Sequence, residues 1–286
     1  MSKEILKQLS EVYRKIRNTA RYILGNLYDF DPNRNMVGED QYTDIDRWAL
    51  ARLEQLTERV RQAYHDYEFY TIYHAVHNFC TIDMSNFYLD VLKDRLYVEA
   101  PDSASRRAAQ SAIYQILRGL TLLMAPIIPF TCEEIWSYLP KLEGDSTESV
   151  MLHEMPEAKG VMATEAFMAR WDRIHALRDA VNKCLEAARG QKKIGKSLEA
   201  KVVLHADGEL YDFLCAQQAL LPAVLIVSQV EVTREAGGEP ADLEGLSVEI
   251  LPAEGRKCER CWAFDASVGS DAAHPTLCAR CASIVR

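Results

Sequence analysis

The sequence lacks any apolar run that approaches the length needed to cross a bilayer, which leaves no candidate for a membrane-spanning helix. Its first residues, Met1-Ser2-Lys3-Glu4, lack the apolar core and cleavage site of a signal peptide. We therefore expect a cytoplasmic protein whose eight cysteines are thiols or metal ligands instead of disulfides. Glycine and proline are scarce, at 13 and 10 of 286 residues, and repeats and low-complexity tracts are absent. This composition is typical of a soluble globular protein with one large or two smaller domains.

An excess of positive charge is also lacking. The net charge of −9 argues against a protein that coats nucleic acid without specificity. Basic side chains nevertheless outnumber acidic ones by six to three in residues 1–30, nine to four in residues 170–201 and five to three in residues 255–286. Such local stretches on an acidic body fit a protein that contacts phosphates at a few places, although each could equally be a solvated helix face.

Helical periodicity dominates the first 140 residues. Apolar residues recur every three or four positions and predict helices over residues 5–27, from about 44 to 64, and from about 70 to 96. Ser103 can cap a fourth helix that stops before Pro126, and Thr131 and Glu134 have capping-box spacing ahead of another. Long helices with short connections predict a helical bundle.

The pattern changes after residue 140. Residues 140–160 have the composition of a linker, and a long helix is predicted over about 163–189. Strands are predicted at residues 200–205, 224–227 and 246–250, with a short helix near 210–216. The predicted fold is therefore mainly α, with a bundle over 1–140, a long helix plus a small α+β junction domain over 141–254, and a terminal segment over 255–286.

That terminal segment contains two CxxC motifs separated by sixteen residues. Each motif allows a tight turn to bring two sulfurs to one ion, and two such turns supply the tetrahedral thiolate set that zinc prefers. Because four thiolates leave no open position, we expect one structural zinc ion, held by Cys258, Cys261, Cys278 and Cys281. The alternative is a pair of redox dithiols. The other four cysteines lie in apolar helical contexts and are expected to be core residues.

Residues 190–197 read GQKKIGKS and match the phosphate-loop pattern GxxxxGK[ST] in full. Such a loop binds phosphate only when a strand precedes it and a helix follows. Here a long helix precedes and a strand follows, so we reject nucleotide hydrolysis and expect a helix end with a glycine cap and nearby basic residues.

Several segments together resemble isoleucyl-tRNA synthetases of the bacterial type. Residues 13–27 (YRKIRNTARYILGNL) resemble the opening helix of the class I synthetase anticodon-binding bundle, and 87–90 (FYLD), 93–95 (KDR), 124–127 (MAPI) and 133–136 (EEIW) resemble later parts of it. Residues 193–200 (KIGKSLEA) resemble the family's helix-to-strand junction, and 257–262 (KCERCW) its zinc finger. The bundle is shared by several synthetases, but its combination with the last two segments indicates the isoleucyl family.

The sequence departs from that family in one large respect. The ATP-binding signatures HIGH and KMSKS and the inserted editing domain of the family are not present. We therefore expect a carboxyl-terminal fragment that has no catalytic residues of its own. It should neither activate isoleucine nor hydrolyse mischarged tRNA. The parent enzyme would be an isoleucine–tRNA ligase, whose catalytic and editing domains become partners of this region, and we expect a monomer.

The resemblance implies that the chain binds the anticodon arm of tRNA-Ile. RNA loops are recognised by unstacked bases on aromatic planes and by phosphates held by lysine and arginine. Trp262 could stack a loop base or cover the zinc cluster, and Asn18 is expected to fix the bundle through a buried hydrogen bond. The predicted tRNA-binding residues are Arg14, Arg17, Arg21, Lys192, Lys193, Lys196, Arg256, Lys257, Arg260 and Trp262.

Two other classes of function remain open at this point. A four-cysteine finger of this spacing also occurs in DNA glycosylases of the formamidopyrimidine type, but those have a proline nucleophile after Met1, where this chain has Ser2. Their order of helical and β-sandwich regions also differs. The chain could also be an interaction module without a nucleic-acid partner, which its net charge permits.

Overall fold

A computed structural model of the chain describes residues 3–160 and 163–285. Contacts divide the chain into two compact units, Met1–Glu165 and Ala166–Arg286, which we call the first and the second unit. The finer three-part division expected from the sequence stays a prediction. No helix within the described ranges is long and apolar enough to cross a membrane.

The first unit is built from helices. The predicted apolar periodicity is confirmed for most of the long elements: Ile16, Ala20 and Ile23 are the buried side of the first helix, and Ile113, Leu117 and their neighbours are buried along another. In the first half of the first helix it is not confirmed, because Ile5 and Leu9 are exposed. The helices are α1 (Lys3–Gly25), α2 (Pro32–Asn35), α3 (Asp44–His65), α4 (Phe69–Asn78), α5 (Leu89–Val91), α6 (Lys93–Val98), α7 (Ala104–Met124) and α8 (Pro129–Tyr138).

The helix predicted over residues 70–96 is not continuous. Between α4 and α5 the backbone is π-helical from Phe79 to Tyr88, and the Ser85 hydroxyl donates to the Cys80 carbonyl five residues earlier at 2.7 Å. The wider turn buries Cys80, Met84 and Tyr88 together. A period of 3.6 residues cannot show this register shift, which depends on the packing of α1, α3 and α4 around the segment.

Helix caps were predicted with mixed success. The Ser103 side chain accepts from the Arg106 N–H at 3.2 Å, so it caps α7 as predicted. The prediction of a capping box at Thr131 is wrong, because α8 already begins at Pro129. The Thr131 hydroxyl is instead hydrogen-bonded to that of Tyr13 at 3.0 Å, across two helices.

The buried polar residue of α1 is Thr19, not Asn18. Asn18 is exposed, so the prediction that it forms a buried hydrogen bond is wrong. Thr19 is 3% exposed, and its hydroxyl lies 3.1 Å from the Lys15 carbonyl and 3.3 Å from the Ser85 hydroxyl. A threonine can satisfy its hydroxyl on the preceding turn of its own helix, which makes its burial cheap.

The segment after α8 is held on the first unit by specific contacts. Arg118 forms a bidentate ion pair with Asp145 at 2.7 and 2.8 Å, and the Trp136 indole N–H donates to the Ser146 carbonyl at 3.0 Å. Farther along, Arg61 donates to the Met155 carbonyl at 3.2 Å. The interpretation of this segment as a simple linker is therefore wrong at least as far as residue 155.

The long helix α9 (Glu165–Gly190) forms as predicted, and all of it except Glu165 belongs to the second unit. This unit also contains a four-stranded sheet of order β2-β1-β4-β3. β1 pairs in parallel with β2 and antiparallel with β4, and α10 and α11 form the crossover between β1 and β2. The elements are β1 (Ala200–His205), α10 (Gly208–Gln217), α11 (Leu221–Leu225), β2 (Gln229–Thr233), β3 (Glu239–Pro240), β4 (Ser247–Pro252), β5 (Arg256–Lys257), β6 (Phe264–Asp265) and α12 (Ala279–Val285).

One face of α9 packs on this sheet. Leu177, Val181 and Leu185 of the helix share a core with Val202 and Leu204 of β1. The end of α9 and the start of β1 are both anchored in this core. The core therefore holds the two ends of the loop between α9 and β1 close together. Ile194, in the middle of that loop, is also buried in this core.

The strand predicted at residues 224–227 is wrong. Val224 and Leu225 end the short helix α11, which Pro222 helps to begin, and Ile226 has a left-handed backbone with φ of 55°. The apolar run is buried, but a short apolar run is compatible with either a strand or a buried helical turn. The second strand starts two residues later, at Gln229.

Candidate metal centre and RNA-binding surface

The first CxxC motif folds as a tight knuckle. The Trp262 N–H donates to the Cys258 carbonyl at 2.9 Å, and the Cys258 N–H donates to the Ala263 carbonyl at 2.9 Å. Trp262 closes the turn in the left-handed region, with φ of 66°. β5 and β6 pair on either side of this turn, so the sequence bends back on itself directly at the cysteines.

The four cysteines of the two motifs meet in one cluster. Their Sγ atoms all lie within 4.8 Å of one another, and the Cys261 and Cys278 sulfurs are 3.9 Å apart. A tetrahedral zinc with Zn–S bonds of about 2.3 Å has S···S edges of about 3.8 Å, so the cluster fits one such ion with little adjustment. Cys258, Cys278 and Cys281 are buried, which suits a structural site.

The backbone around the cluster favours the thiolate of Cys258, whereas burial raises the pKa of Cys261 and of Cys281. Burial alone would raise the pKa of the Cys258 thiol, but N–H groups of Cys261 and Cys278 donate to its sulfur and lower that pKa to about 6. The Cys278 N–H lies 3.4 Å from this sulfur. Metal ligation requires the deprotonated sulfur, so these hydrogen bonds support the chemistry expected of the site.

Two of the remaining cysteines, Cys80 and Cys132, behave as core residues, as expected from the sequence. Cys80 and Cys132 are buried in the first unit, and burial raises the pKa of each thiol to about 12. Cys184 and Cys215 are half-buried in the second unit. The Cys80 and Cys132 thiols are therefore poor nucleophiles and poor ligands.

The GxxxxGKS segment forms the end of α9 and the loop that follows. The Lys193 N–H donates to the Ala188 carbonyl and the Lys192 N–H to the Arg189 carbonyl, at 3.0 and 2.9 Å. This is a Schellman cap whose left-handed residue is Lys192, with φ of 58°. The predicted glycine cap is therefore wrong, and the cap places Lys192 and Lys193 on the surface.

The amides that a phosphate loop would offer to phosphate are occupied from within the chain. The Gly195 N–H donates to the Glu199 carboxylate at 2.8 Å. The N–H groups of Gly195 and Lys196 lower the pKa of Glu199, so its carboxylate is stabilised as an internal anion. The loop amides therefore already bind a carboxylate of the same chain, in agreement with the rejection of a nucleotide site here.

Two groups of predicted RNA-binding residues meet at Trp262. The Lys196 ammonium lies 5.7 Å and the Lys257 ammonium 6.0 Å from the centre of the indole ring. Both separations are within the range of a cation–π interaction. Trp262 is 58% exposed, which favours the stacking role over that of a buried cover for the cluster. The loop after α9 and the zinc knuckle thus form one surface, which we call the Trp262 site (Lys196, Lys257 and Trp262).

The two arginines of the knuckle are more engaged with the protein itself. The Arg256 guanidinium donates to the Val268 carbonyl. Arg260 is half-buried, and its Nη1 is buried without a hydrogen-bond acceptor among the described residues. Both side chains therefore have less freedom to contact phosphate than Lys196 or Lys257.

The predicted arginines of the first unit lie along α1 at positions i, i+3 and i+7, so they share a face. Arg14 pairs with Glu11, and Arg17 with Glu134 at 3.3 Å. Arg21 is exposed and has no ion-pair partner within the described parts of the chain. Of the three, Arg21 is the most available for a phosphate.

Two residues of the Trp262 region were not singled out from the sequence. Glu199 binds the loop amides, and the Ser228 hydroxyl contacts both the loop and the knuckle. Glu199 lies within residues 193–200, the segment that resembles the family's helix-to-strand junction. Its spacing from Gly195 could have indicated that its carboxylate reaches the loop amides. Ser228 carries no sequence signal, because its role depends on two segments that are 66 residues apart in the chain, around Leu198 and Phe264.

Comparison with known families gives two matches. The model described as the anticodon-binding domain of tRNA ligase matches residues 46–204, which is more than half of the chain. The model described as the zinc finger found in FPG and IleRS matches residues 255–284, which include all four clustered cysteines. The second match agrees with one structural zinc ion at the cluster.

Individual relatives are similar over the whole of this chain. Isoleucine–tRNA ligases from Syntrophotalea carbinolica and Geobacter sulfurreducens are 50% and 48% identical over 288 and 289 residues, and that of Carboxydothermus hydrogenoformans is 48% identical over 286. Each alignment covers 100% of this chain and 31% of the relative, so the chain spans about a third of the length of these ligases. With the helical architecture, the cysteine cluster and the matched residues taken together, the chain belongs to the family of anticodon-binding domains of tRNA ligases.

Proposed function

We propose that this chain binds the anticodon arm of tRNA-Ile as part of an isoleucine–tRNA ligase. The relatives that align over its whole length are isoleucine–tRNA ligases. The structural observation that carries the proposal is the Trp262 site, where an exposed indole is flanked by two ammonium groups. An aromatic plane beside cations is the arrangement that binds an unpaired base together with its phosphates.

In this proposal the base of an unpaired nucleotide stacks on the indole of Trp262, while Lys196 and Lys257 hold adjacent phosphates. Lys192 and Lys193, which are exposed at the end of α9, extend the cationic surface along the RNA backbone. The arginines of α1, Arg21 foremost, contact phosphates from the first unit. Arg256 and Arg260 contribute positive potential and hold the knuckle together, with weaker direct contacts.

The zinc ion has a structural role in this proposal. Cys258, Cys261, Cys278 and Cys281 hold it with four thiolates, and no coordination position remains for a substrate or water. The ion would keep the knuckle folded so that Trp262 is presented at a fixed place. Amino-acid activation and editing belong to parts of the ligase outside this chain, which acts as a cytoplasmic monomer.

The proposal is tested by a fluorescence-anisotropy titration of the zinc-loaded chain with tRNA-Ile, at a stated moderate salt concentration. The matched control is the same tRNA with its anticodon replaced. We expect tighter binding of the native anticodon, since base contacts and not phosphate contacts carry sequence information. Equal affinity for the two RNAs would contradict anticodon reading by this chain.

The Trp262 site is tested by Trp262→Ala. Base–aromatic stacking is worth about 1–3 kcal/mol, so the affinity for tRNA-Ile should fall by roughly 5- to 150-fold while one zinc ion is retained. Tyr138→Ala is the control, because Tyr138 is also an exposed aromatic residue, at 72% exposure, and lies in the first unit. Unchanged affinity in the Trp262 variant would count against stacking.

Binding of DNA, as in the glycosylases that share the finger, is less well supported. The finger match covers residues 255–284 only, whereas the anticodon-binding match covers residues 46–204. A duplex DNA of similar length in the same titration separates the two functions, since a DNA-binding protein would prefer it to tRNA.

A further inference from the structure

We propose that Ser228 is the positioning residue of the Trp262 site. Its side chain joins the loop after α9 to the zinc knuckle, and so fixes Lys196 of the loop beside Trp262 and Lys257 of the knuckle. This inference rests on the proposed function only where RNA affinity is concerned, because the geometry that it explains can be measured without RNA.

The Ser228 hydroxyl makes two hydrogen bonds in opposite senses. It donates to the Leu198 carbonyl at 2.5 Å and accepts from the Phe264 N–H at 2.8 Å. A hydroxyl is suited to this position because it is a donor and an acceptor at one atom. Replacing it by a methyl group would leave a carbonyl and an N–H without their partner.

Both partners are close to the site in sequence. Leu198 is two residues after Lys196, and Phe264 is two residues after Trp262. Phe264 is also paired with Lys257 across the β5–β6 ribbon. The single hydroxyl therefore ties together the backbone segments that carry all three side chains of the Trp262 site.

Other hydrogen bonds hold the segments next to Ser228 in place, but they do not replace its link to the knuckle. The Gln229 amide makes reciprocal hydrogen bonds with the Glu254 backbone, at 3.0 and 2.8 Å, just before the knuckle. The Ala253 N–H donates to the Glu199 carbonyl at 2.7 Å. These contacts anchor the strands that lead to the knuckle, whereas Ser228 is hydrogen-bonded to the knuckle itself.

The test uses the fluorescence of Trp262, which can be separated from that of the other tryptophans. Trp48, Trp136 and Trp171 are 3%, 1% and 0% exposed, so dissolved quenchers reach Trp262 almost alone. Iodide is attracted by the two ammonium groups and caesium is repelled by them. The ratio of the iodide to the caesium quenching constant, normalised to N-acetyltryptophanamide, therefore reports whether the lysines lie beside the ring.

The experiment compares the zinc-loaded full chain with its Ser228→Ala, Ser228→Thr and Ser283→Ala variants. Ser283 is the matched control, because it is exposed and its hydroxyl donates only locally, to the Arg280 carbonyl. Lys196→Gln gives the ratio expected when one ammonium group is removed. We expect Ser228→Ala to lower the ratio about twofold, toward the Lys196→Gln value, with one zinc ion retained. Ser228→Thr, which keeps the hydroxyl, should restore it.

An unchanged ratio in Ser228→Ala would overturn the proposal. Loss of zinc in that variant would overturn it too, since Ser228 would then be needed for folding of the knuckle instead of its placement. The tRNA-Ile titration is run on the same samples, and we expect an affinity loss of about tenfold. A lowered ratio with unchanged tRNA affinity would support the role of Ser228 and contradict only the proposed role of Trp262 in RNA binding.

Discussion

The helical first unit and the terminal finger are stabilised in different ways. The first unit has a large apolar interior, in which Trp136, Tyr88, Tyr114 and Ile113 are each less than 2% exposed. In the finger, residues 255–285, the buried apolar residues other than the cysteines of the cluster are Val268 and Ala282. A segment with so little apolar burial cannot offset the conformational entropy of ordering its backbone.

The difference explains the distribution of cysteines. In the first unit Cys80 and Cys132 act as small apolar residues within a core that is already complete. In the finger the cysteines are themselves most of the interior. Their sulfurs are arranged to bind one ion together and do not form disulfides. The folding free energy of the finger is therefore expected to come from the metal.

The variant with the largest expected effect on this comparison is Cys281→Ala. Removing one of four thiolates should abolish tight zinc binding, whose free energy in such sites is about 10–16 kcal/mol, and should unfold the finger. The thermal unfolding of the helical first unit should change little. Cys132→Ala is the control, since it alters a buried cysteine of the other unit and should leave one zinc ion bound. Zinc content and circular dichroism against temperature measure both effects, and retained zinc in Cys281→Ala would contradict the assigned ligands.

A second test addresses the polar network buried in the first unit. The Asp46 carboxylate is fully buried and accepts from Arg95 at 2.8 Å through each oxygen, and from the Tyr88 hydroxyl at 2.7 Å. Breaking such a network leaves an uncompensated buried charge and costs about 3–5 kcal/mol. Asp46→Asn should therefore lower the unfolding free energy of the first unit by roughly that amount, measured by urea denaturation.

The matched control for Asp46→Asn is Glu11→Gln. Glu11 also pairs with an arginine, Arg14, but both side chains are about half exposed or more, at 48% and 62%. Exposed pairs contribute little, so this variant should unfold like the wild type. Equal losses in the two variants would show that burial does not decide the strength of these ion pairs.

The smallest expected effect is on the acid stability of the first unit. Burial alone would raise the pKa of Asp29, but hydrogen bonds from Arg106 and Gln110 lower it below its usual value. For Asp145, burial likewise opposes a lowering of the pKa that comes mainly from Arg118, with His153 also nearby. A lowered folded-state pKa gives stability that is present above the unfolded value, near pH 4, and is lost as the pH falls through the folded value.

The unfolding free energy of the first unit should therefore decline as the pH falls below about 4, because each carboxylate is protonated and loses its ion pair. Asp145→Asn should remove part of this pH dependence, because the amide does not titrate. The measurement is urea denaturation at several pH values between 3 and 6. An Asp145→Asn variant with the same slope as the wild type would contradict this assignment.

Features of this protein that depend on local rules follow from its sequence. The apolar period of α1, α3, α7 and α9 and the cap at Ser103 depend on residues within a few positions of one another. The CxxC spacing likewise determines which cysteines can share an ion, because the turn geometry is local.

Predictions from the sequence were wrong where residues that are distant in the sequence but close in the fold decide between two possible local structures. Residues 224–227 are apolar enough for a strand, but Val224 and Leu225 end the helix α11, and Leu225 and Val227 are buried in the core of the second unit. The helix predicted over residues 70–96 contains a π-helical segment because of what packs around it. Lys192 adopts the left-handed cap conformation in a segment with two glycines, and Ile194, two residues later, is buried in the core.

By itself, the sequence determined the bundle, the four cysteines that cluster and the chemical types of the proposed RNA contacts, because these follow from periodicity, spacing and side-chain chemistry. Only the tertiary structure decided which contacts act together. It brought Lys196 and Lys257 to Trp262, filled the loop amides with Glu199, and placed the Ser228 hydroxyl between two distant segments. The physical reason is that hydrogen bonds and cation–π contacts act over a few ångströms, and such proximity between distant segments arises only once the shared core has folded.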